Sequence, residues 1–234
     1  MFLFAVKIAA AIFAIISGYV VIRAYVKGLK KKVTEELFVT RQNLKQLNEE
    51  LQVYKNQLYE MSCKDYLTGL PNRMSLYESL RMSMEKYANM NMALLYIDSD
   101  NFKFLNDTLG HSFGDQLIIE IGSRLSSMFG SDYIVHRLGG DEFVIFLSNY
   151  VNLEEVEQCA AKIIRHFKEP LNAGGGAILT TVSIGIALYP EHGTCTEELL
   201  KCAGIAMHKA KSTGKNRFVY YSPAMNKSFD ERML

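Results

Sequence analysis

The hydrophobic residues of this 234-residue chain fall into three successive patterns, and the first is an almost unbroken apolar run. Within residues 2–22 the interruptions are Lys7, Ser17, Gly18 and Tyr19. A run of this length makes about 31 Å of helix, which matches the thickness of a bilayer core. The pattern predicts a membrane-spanning helix within residues 1–27. A cleaved signal peptide is the alternative interpretation of the same run.

Positive charge is concentrated directly after this run. The basic residues there are Arg23, Lys27, Lys30, Lys31 and Lys32, whereas Lys7 and the amino terminus are the positive groups on the other side. By the positive-inside rule, this asymmetry predicts a single-pass protein of the inner (cytoplasmic) membrane with its later residues in the cytoplasm. A lysine cluster at this place also disfavours a cleaved signal peptide.

A heptad repeat forms the second pattern, in residues 28–62. Leucines recur at the a positions Leu37, Leu44, Leu51 and Leu58. Opposite charges occupy g positions and the following e positions, in the pairs Glu36 with Arg41 and Glu50 with Lys55. These charges pair across a parallel two-stranded coil, so the pattern predicts a homodimer. A helix packed on its own domain would show the same apolar stripe, and leucine at every a position leaves the oligomer number open.

The third pattern, from residue 63 onward, alternates short strands with amphipathic helices. Helices are predicted at residues 75–87, 115–128, 153–167 and 197–212, with a short helix or turn at 101–107 and a loop at 110–114. Strands are predicted at residues 92–97, 133–138, 143–147, 177–188 and 217–221. A glycine-turn hairpin in the middle favours an antiparallel or mixed sheet with helices against it. We therefore expect one α+β domain in residues 63–234.

Composition narrows the classes of partner. The chain is 49% hydrophobic, which supplies a sizeable core, and its net charge of +1 gives no support for a nucleic-acid partner. Four cysteines occur without a CxxC pair or a nearby histidine at ligand spacing, which argues against a zinc site. Free thiols in a reducing compartment are the expected state of these cysteines.

Acidic side chains at two predicted strand ends carry the candidate chemistry. Asp98 and Asp100 follow one strand, and Asp141 and Glu142 follow the pair Gly139-Gly140. If the two strands are neighbours, two carboxylates converge, and a divalent cation would hold them together. Mg²⁺ prefers such oxygen ligands, with Mn²⁺ as the alternative, and a metal of this kind points to phosphoryl or nucleotidyl transfer. Each acid taken alone could equally be a solvated loop residue.

Several short motifs follow one another in a specific order. They are Asp65 with residues 67–73, residues 98–103, Asn106-Asp107, Gly110-His111 with Gly114-Asp115, Arg137 with residues 139–143, Ser183-Ile184-Gly185, and Ala210-Lys211 with Gly214-Lys215-Asn216. In this combination the chain resembles the GGDEF family of diguanylate cyclases over residues 63–221. The resemblance implies a palm-like, nucleotidyl cyclase-like fold with a mostly antiparallel sheet. It also implies condensation of two GTP into cyclic di-GMP and two pyrophosphates between two facing domains of a homodimer.

The resemblance also implies roles for individual residues at the reacting centre. The implied metal ligands are Asp98, the carbonyl of Ser99, and Asp141. Asp141 would in addition accept the proton of the attacking 3′-hydroxyl, and Glu142 would support the metal ions. Gly139 and Gly140 would leave room for the α-phosphate, because any Cβ there would be too bulky.

Further residues are implied to bind the nucleotide. Asn106 and Asp115 would contact the guanine edge, where a carboxylate accepts from donors that adenine lacks. The β- and γ-phosphates would be bound by Lys103, Lys211 and Lys215, with the backbone amides of Asn101 and Phe102.

One departure from the family and two alternatives stand beside this interpretation. The family's product-inhibition motif would occupy Gly130 and Tyr133, and neither residue fits it, so no feedback inhibition is expected there. A catalytically silent module that binds GTP or a partner is one alternative, which the intact motifs oppose. A cyclase that makes a different dinucleotide is the other, which Asp115 disfavours.

Overall fold

The computed structural model describes residues 2–86, 91–129 and 133–226, with only the backbone described for residues 2–12, 14, 60 and 61. Its elements are α1 (Phe2–Ser62), α2 (Arg73–Lys86), β1 (Met92–Ser99), α3 (Phe102–Leu109), α4 (His111–Phe129), β2 (Val135–Gly139), β3 (Glu142–Ser148), α5 (Leu153–His166), β4 (Leu171–Ala173), β5 (Gly176–Ile178), β6 (Val182–Tyr189), α6 (Thr196–Ser212) and β7 (Phe218–Tyr220). The chain divides into two compact units, Met1–Tyr59 and Glu60–Leu234.

The first unit consists of helix α1, which is continuous across the predicted membrane and coiled-coil segments. Its a-position leucines are exposed on the single chain. Among the residues that the structure describes, no helix is both long enough and apolar enough to cross a membrane. The span predicted within residues 2–22 falls largely on residues whose side chains lie outside the described part of the chain.

The second unit is built on a five-stranded sheet with the order β2-β3-β1-β6-β7. The pairings β2–β3, β3–β1 and β1–β6 are antiparallel, and β6–β7 is parallel. The sheet is therefore mixed, as the sequence pattern allowed. Strand β1 lies at its centre and is buried along its whole length, which agrees with its nearly continuous apolar sequence.

Helices cover both faces of this sheet. Leu95 and Ile97 of β1 face a core shared with α4 and α5, whereas Leu94 and Tyr96 face a second core shared with α2 and α6. Helix α6 lies so close to β6 that a Cβ added at Gly185 of β6 would collide with the backbone of α6. The glycine therefore sets the distance at which α6, and the lysines near its end, approach the sheet.

Two sequence predictions are corrected here. The single long strand predicted at 177–188 is two strands, β5 and β6, because Thr180 and Thr181 bond to Asp100 between them. Strand β5 instead forms a hairpin with β4, a strand that the sequence pattern did not indicate. The loop predicted at 110–114 is mostly the first turn of α4, which begins at His111.

Candidate active site

The carboxyl end of β1 and the β2–β3 turn meet at one edge of the sheet. The register pairs Asp98 of β1 with Glu142 of β3. The β2–β3 ladder is irregular between Arg137 and Gly139. As a result Asp141 lies within the turn, and only Glu142 begins the strand, whereas the sequence pattern placed both acids after the turn. The irregular register directs Asp141 toward the end of β1 instead of along β3.

Asp98 and Asp141 form a crowded pair of carboxyl groups at this edge. Asp98 is only 7% exposed, and the two side chains are close enough to share a hydrogen bond. Burial, and then the neighbouring Asp141, raise the pKa of Asp98 well above its ordinary value. Burial likewise raises the pKa of Asp141. Lys211 of α6 donates from Nζ to Asp98 Oδ1 and opposes both shifts.

This pair suits a hard divalent cation. Mg²⁺ is typically held by one or two carboxylates, and water and substrate phosphates complete its coordination. The Ser99 carbonyl, which the Lys211 ammonium approaches at 3.5 Å, lies beside the pair. Within the described residues, no cluster of three or more His, Cys, Asp or Glu side chains could hold a metal ion. The two carboxyl groups and the Ser99 carbonyl are oxygen donors of the kind that Mg²⁺ prefers.

The glycines of the turn are required by its backbone. Gly139 and Gly140 have φ angles of 141° and 52°, a region that L side chains rarely adopt. A Cβ added at either residue would meet no atom of the described residues within 4 Å. The surface in front of this turn is therefore open, which leaves room for a phosphate group as the resemblance implies.

Arg137 fixes the turn to the start of the domain. Its Nε and Nη2 donate to the Gly140 carbonyl at 3.0 and 2.8 Å, and its Nη1 lies 2.7 Å from Asp65 Oδ1. The same Asp65 oxygen accepts from the amide and hydroxyl of Thr68. Burial opposes ionisation of Asp65, but the hydrogen bonds from Thr68 and Arg137 outweigh it and lower the pKa. No role was predicted for this ion pair from the sequence, although Asp65 and Arg137 both belong to the motifs shared with the GGDEF family.

The two residues expected to contact guanine lie near the junction of α3 and α4. Asn106 Nδ2 is 3.0 Å from His111 Nδ1. Its carboxamide packs against Gly114, where a Cβ would overlap it, and Asp115 is the next residue of α4. Among the described atoms, Asn106 Oδ1 is buried without a hydrogen-bond partner. A buried acceptor without a partner is one that a ligand donor could satisfy. The contact between Asn106 and His111 was not predicted from the sequence.

The residues expected to bind phosphates gather beside the end of β1. Asn101 adopts a left-handed conformation with φ of 63° just before α3, and Phe102 begins that helix. Lys215 follows α6 and donates from Nζ to Asn101 Oδ1. Together with Lys211, these residues lie near the carboxyl pair, while Lys103 occupies an exposed position on α3. The arrangement places lysines and helix-terminal amides on one side of the site, as anion binding requires.

The palm-like α+β fold agrees with the comparison with known families. The model of the family described as "Diguanylate cyclase, GGDEF domain" matches residues 62–217. The chain belongs to the GGDEF family.

Known relatives with this segment differ in their named activities. The chain is 37% identical over 171 residues to the diguanylate cyclase DgcN of Escherichia coli, a match that covers 72% of this chain and 42% of DgcN. It is 36% identical over 162 residues to the cyclic di-GMP phosphodiesterase PdeR of the same organism, a match that covers 69% of this chain and 24% of PdeR. The chain thus spans less than half the length of either relative.

A solved structure gives the same fold. The isolated GGDEF domain of TpbB (YfiN) from Pseudomonas aeruginosa superposes with a TM-score of 0.67 at 33% sequence identity. The superposition covers 71% of this chain and 99% of that domain.

Proposed function

We propose that this chain is an active diguanylate cyclase, which condenses two GTP molecules into cyclic di-GMP and releases two pyrophosphates. The observation that carries the proposal is the pair formed by the buried carboxyl group of Asp98 and the half-buried carboxyl group of Asp141. This pair lies beside Lys211 and next to the open surface of the glycine turn. Neighbouring acids with raised pKa values mark sites where a charge partner completes the chemistry. In this family that partner is a divalent metal ion together with a nucleoside triphosphate.

The residues at the carboxyl pair would divide the reaction between them. Asp98, the Ser99 carbonyl and Asp141 would hold Mg²⁺, with support from Glu142. The bound ion would neutralise charge on the transferring phosphate. Asp141 would also accept the proton of the attacking 3′-hydroxyl, as the family resemblance implies.

The surrounding residues would bind and orient GTP. Asn106 and Asp115 would recognise guanine, since the unpaired Asn106 oxygen and the neighbouring carboxylate can both accept hydrogen bonds from its N1 and N2 groups. The triphosphate would be bound by Lys103, Lys211, Lys215 and the amides of Asn101 and Phe102.

The test of the proposal is product identification. The purified protein would be incubated with Mg²⁺ and GTP, ATP, or both, and the products identified by mass. Cyclic di-GMP from GTP alone is expected. A mixed dinucleotide would show a different cyclase, and GTP binding without any product would show a silent module.

That silent module is the second candidate function. The observation in its favour is that the matched segment also occurs in relatives named for the opposite activity, such as PdeR. Under this candidate the chain would bind GTP or a protein partner without turnover.

The coil would bring two catalytic domains together. One domain would bind one GTP, whereas the product joins two, so two domains must face each other. The exposed a-position leucines of α1 and the paired g and e charges support a parallel homodimer. Such a coil raises the effective concentration of the second domain.

Two charge substitutions in the seam test this dimer. Leu44→Lys with Leu51→Lys should make the specific activity fall on dilution, because two lysines in the seam separate the helices. Gln42→Lys with Asn56→Lys adds the same charge at f positions, away from the seam, and serves as the control. Equal specific activity of the seam variant at all dilutions would argue against a coil-driven dimer.

We also infer that residues 2–22 anchor the chain as a single pass in the inner (cytoplasmic) membrane. The inference is supported by the apolar run and by the lysine cluster that follows it. The full chain should then stay with membranes through alkaline carbonate extraction, while a chain lacking residues 1–27 should not. Release of the full chain by carbonate would contradict the anchor.

A further inference from the structure

Asp100, directly after β1, is a buried acid that the proposed mechanism does not use. It is 1% exposed. Its Oδ1 accepts from the Ser183 hydroxyl at 2.7 Å, and its Oδ2 accepts from the Thr181 hydroxyl at 2.6 Å and from the Asn216 amide at 3.0 Å. A buried carboxylate is stable only when donors replace its lost hydration, and here three donors do so.

The side chain of Asp100, unlike its backbone, bonds to the loop between α6 and β7. The backbone already bonds to the segment before β6, since the Asp100 amide donates to Thr181 and its carbonyl accepts from the Thr180 hydroxyl. The bond from Asn216 is different, because it reaches the loop between α6 and β7. The carboxylate therefore joins this loop to the end of β1.

The connected loop has an unfavourable backbone conformation. Lys215 and Asn216 are consecutive non-glycine residues in the left-handed region, with φ angles of 58° and 47°. This conformation is unfavourable for residues that have a side chain, and it persists only where the surrounding structure holds it. The Asn216 amide donates to Asp100, and the Lys215 amide donates to Ala210. These bonds offset the backbone strain.

The strained conformation determines where Lys215 points. Its ammonium group reaches Asn101, another left-handed residue, at the start of α3. This is the place where the proposed function puts the β- and γ-phosphates. A loop released from Asp100 would relax toward ordinary φ angles and carry the Lys215 ammonium away.

We propose that Asp100 is a positioning residue for the triphosphate, which rests on the proposed function. Its carboxylate holds the loop of residues 213–217 in the left-handed form that presents Lys215 to the phosphates. Asp100 is not a further metal ligand, because both of its carboxylate oxygens already accept hydrogen bonds and face the protein interior.

The test compares phosphate binding with nucleoside binding in the full chain. 3′-Deoxy-GTP cannot react, because it lacks the attacking hydroxyl, and GMP shares its base but carries one phosphate. Asp100→Ala should weaken binding of 3′-deoxy-GTP by about tenfold or more, the effect of losing a hydrogen bond to a charged group, and leave GMP binding nearly unchanged. Amide exchange at Asn216 should become faster in the same variant.

Two further variants separate positioning from general destabilisation. Asp100→Asn keeps one oxygen for the Asn216 amide and can donate to Ser183, so it should bind 3′-deoxy-GTP nearly as wild type does. Ser183→Ala removes a bond to the same carboxylate without touching the loop, and should leave binding unchanged. If Asp100→Ala does not fold, Asp100→Ser takes its place with the same expected direction.

The outcomes distinguish this inference from the proposed function. If wild-type protein fails to bind 3′-deoxy-GTP, the proposed function itself fails. If wild type binds it, and the Ala or Ser variant binds equally tightly with unchanged exchange at Asn216, the positioning role is wrong. An equal loss for 3′-deoxy-GTP and GMP would also overturn it, because the effect would then not concern the phosphates.

Discussion

Two acidic groups at the end of β1, only two residues apart, occupy opposite electrostatic environments. Asp98 shares its surroundings with the carboxyl group of Asp141. Burial, and then the neighbouring Asp141, raise the pKa of Asp98, and burial raises the pKa of Asp141. Asp100 is more deeply buried, yet hydroxyl and amide donors satisfy its carboxylate. At Asp98 the ammonium group of Lys211 compensates the negative charge only in part, whereas three hydrogen-bond donors satisfy the carboxylate of Asp100.

This difference separates residues kept for chemistry from residues kept for structure. A crowded acid pair costs folding free energy and is stabilised only when a cation or substrate arrives. An acid whose carboxylate accepts several hydrogen bonds, here called a saturated acid, contributes stability and has little capacity left for a ligand. The Asp65–Arg137 pair belongs with the second kind, because donors from Thr68 and Arg137 converge on one carboxylate oxygen. Substitutions of these acids should therefore change the free energy of unfolding in different directions as well as by different amounts.

The largest effect is expected on turnover at the crowded pair. Asp141→Asn removes the proton acceptor and one carboxylate of the metal site, and should lower cyclic di-GMP formation by about a thousandfold or more. Initial rates at saturating GTP and Mg²⁺ measure the loss. Glu154→Gln, which neutralises an exposed acid of α5, is the control and should keep full activity. Substantial turnover in the Asn variant would remove Asp141 from the reaction.

The sequence could show the crowded pair but not the saturated acid. Asp98 and Asp141 follow recognisable strand and turn signals, so their proximity depended only on which strands are neighbours. The partners of Asp100 are separated from it by 81 to 116 residues, and no periodicity relates them. The same long-range bonds explain why the prediction of one strand at 177–188 was wrong. Thr180 and Thr181 bond to Asp100 and interrupt the strand at this point. Local pattern fixes elements, whereas side-chain hydrogen bonds between distant segments follow from packing.

The next largest effect is a loss of stability at the saturated acid. Asp100→Ala leaves the buried Ser183 hydroxyl and the Asn216 amide without their acceptor, and should lower the free energy of unfolding by about 3 kcal/mol. Urea unfolding followed by circular dichroism measures it. Ser183→Ala, which removes one donor and leaves the carboxylate with two, should cost only about 1 kcal/mol. Equal losses in the two variants would mean that the carboxylate is not the centre of the network.

A smaller loss is expected at the second saturated acid. Asp65→Asn keeps an oxygen for Thr68 but removes the charge opposite Arg137, and should cost about 2 kcal/mol at neutral pH. The pKa of Asp65 is lowered in the folded state, so its contribution is present above the unfolded pKa and is lost as pH falls through the folded pKa. The difference between wild type and variant should therefore shrink in acid. A difference that is constant with pH would contradict the ion pair.

The smallest effect has the opposite sign and occurs in the same variant that loses turnover. Asp141→Asn relieves the repulsion that Asp98 experiences, and should raise the free energy of unfolding by about 1 kcal/mol at neutral pH. Urea unfolding in the presence of EDTA measures this gain without bound metal. Glu154→Gln again serves as the control and should leave stability nearly unchanged.

The pH dependence of that gain distinguishes charge relief from altered packing. The raised pKa values of Asp98 and Asp141 mean that the folded protein retains protons that the unfolded chain has released. Their contribution is fully present below the unfolded pKa of about 4 and is lost as pH rises through the folded values. The stability advantage of Asp141→Asn should therefore be larger at about pH 8 than at about pH 5. As pH rises, wild type thus loses stability relative to Asp141→Asn, whereas it gains stability relative to Asp65→Asn. An advantage that is equal at both pH values would show that packing, and not the crowded charge, sets the stability of this edge of the sheet.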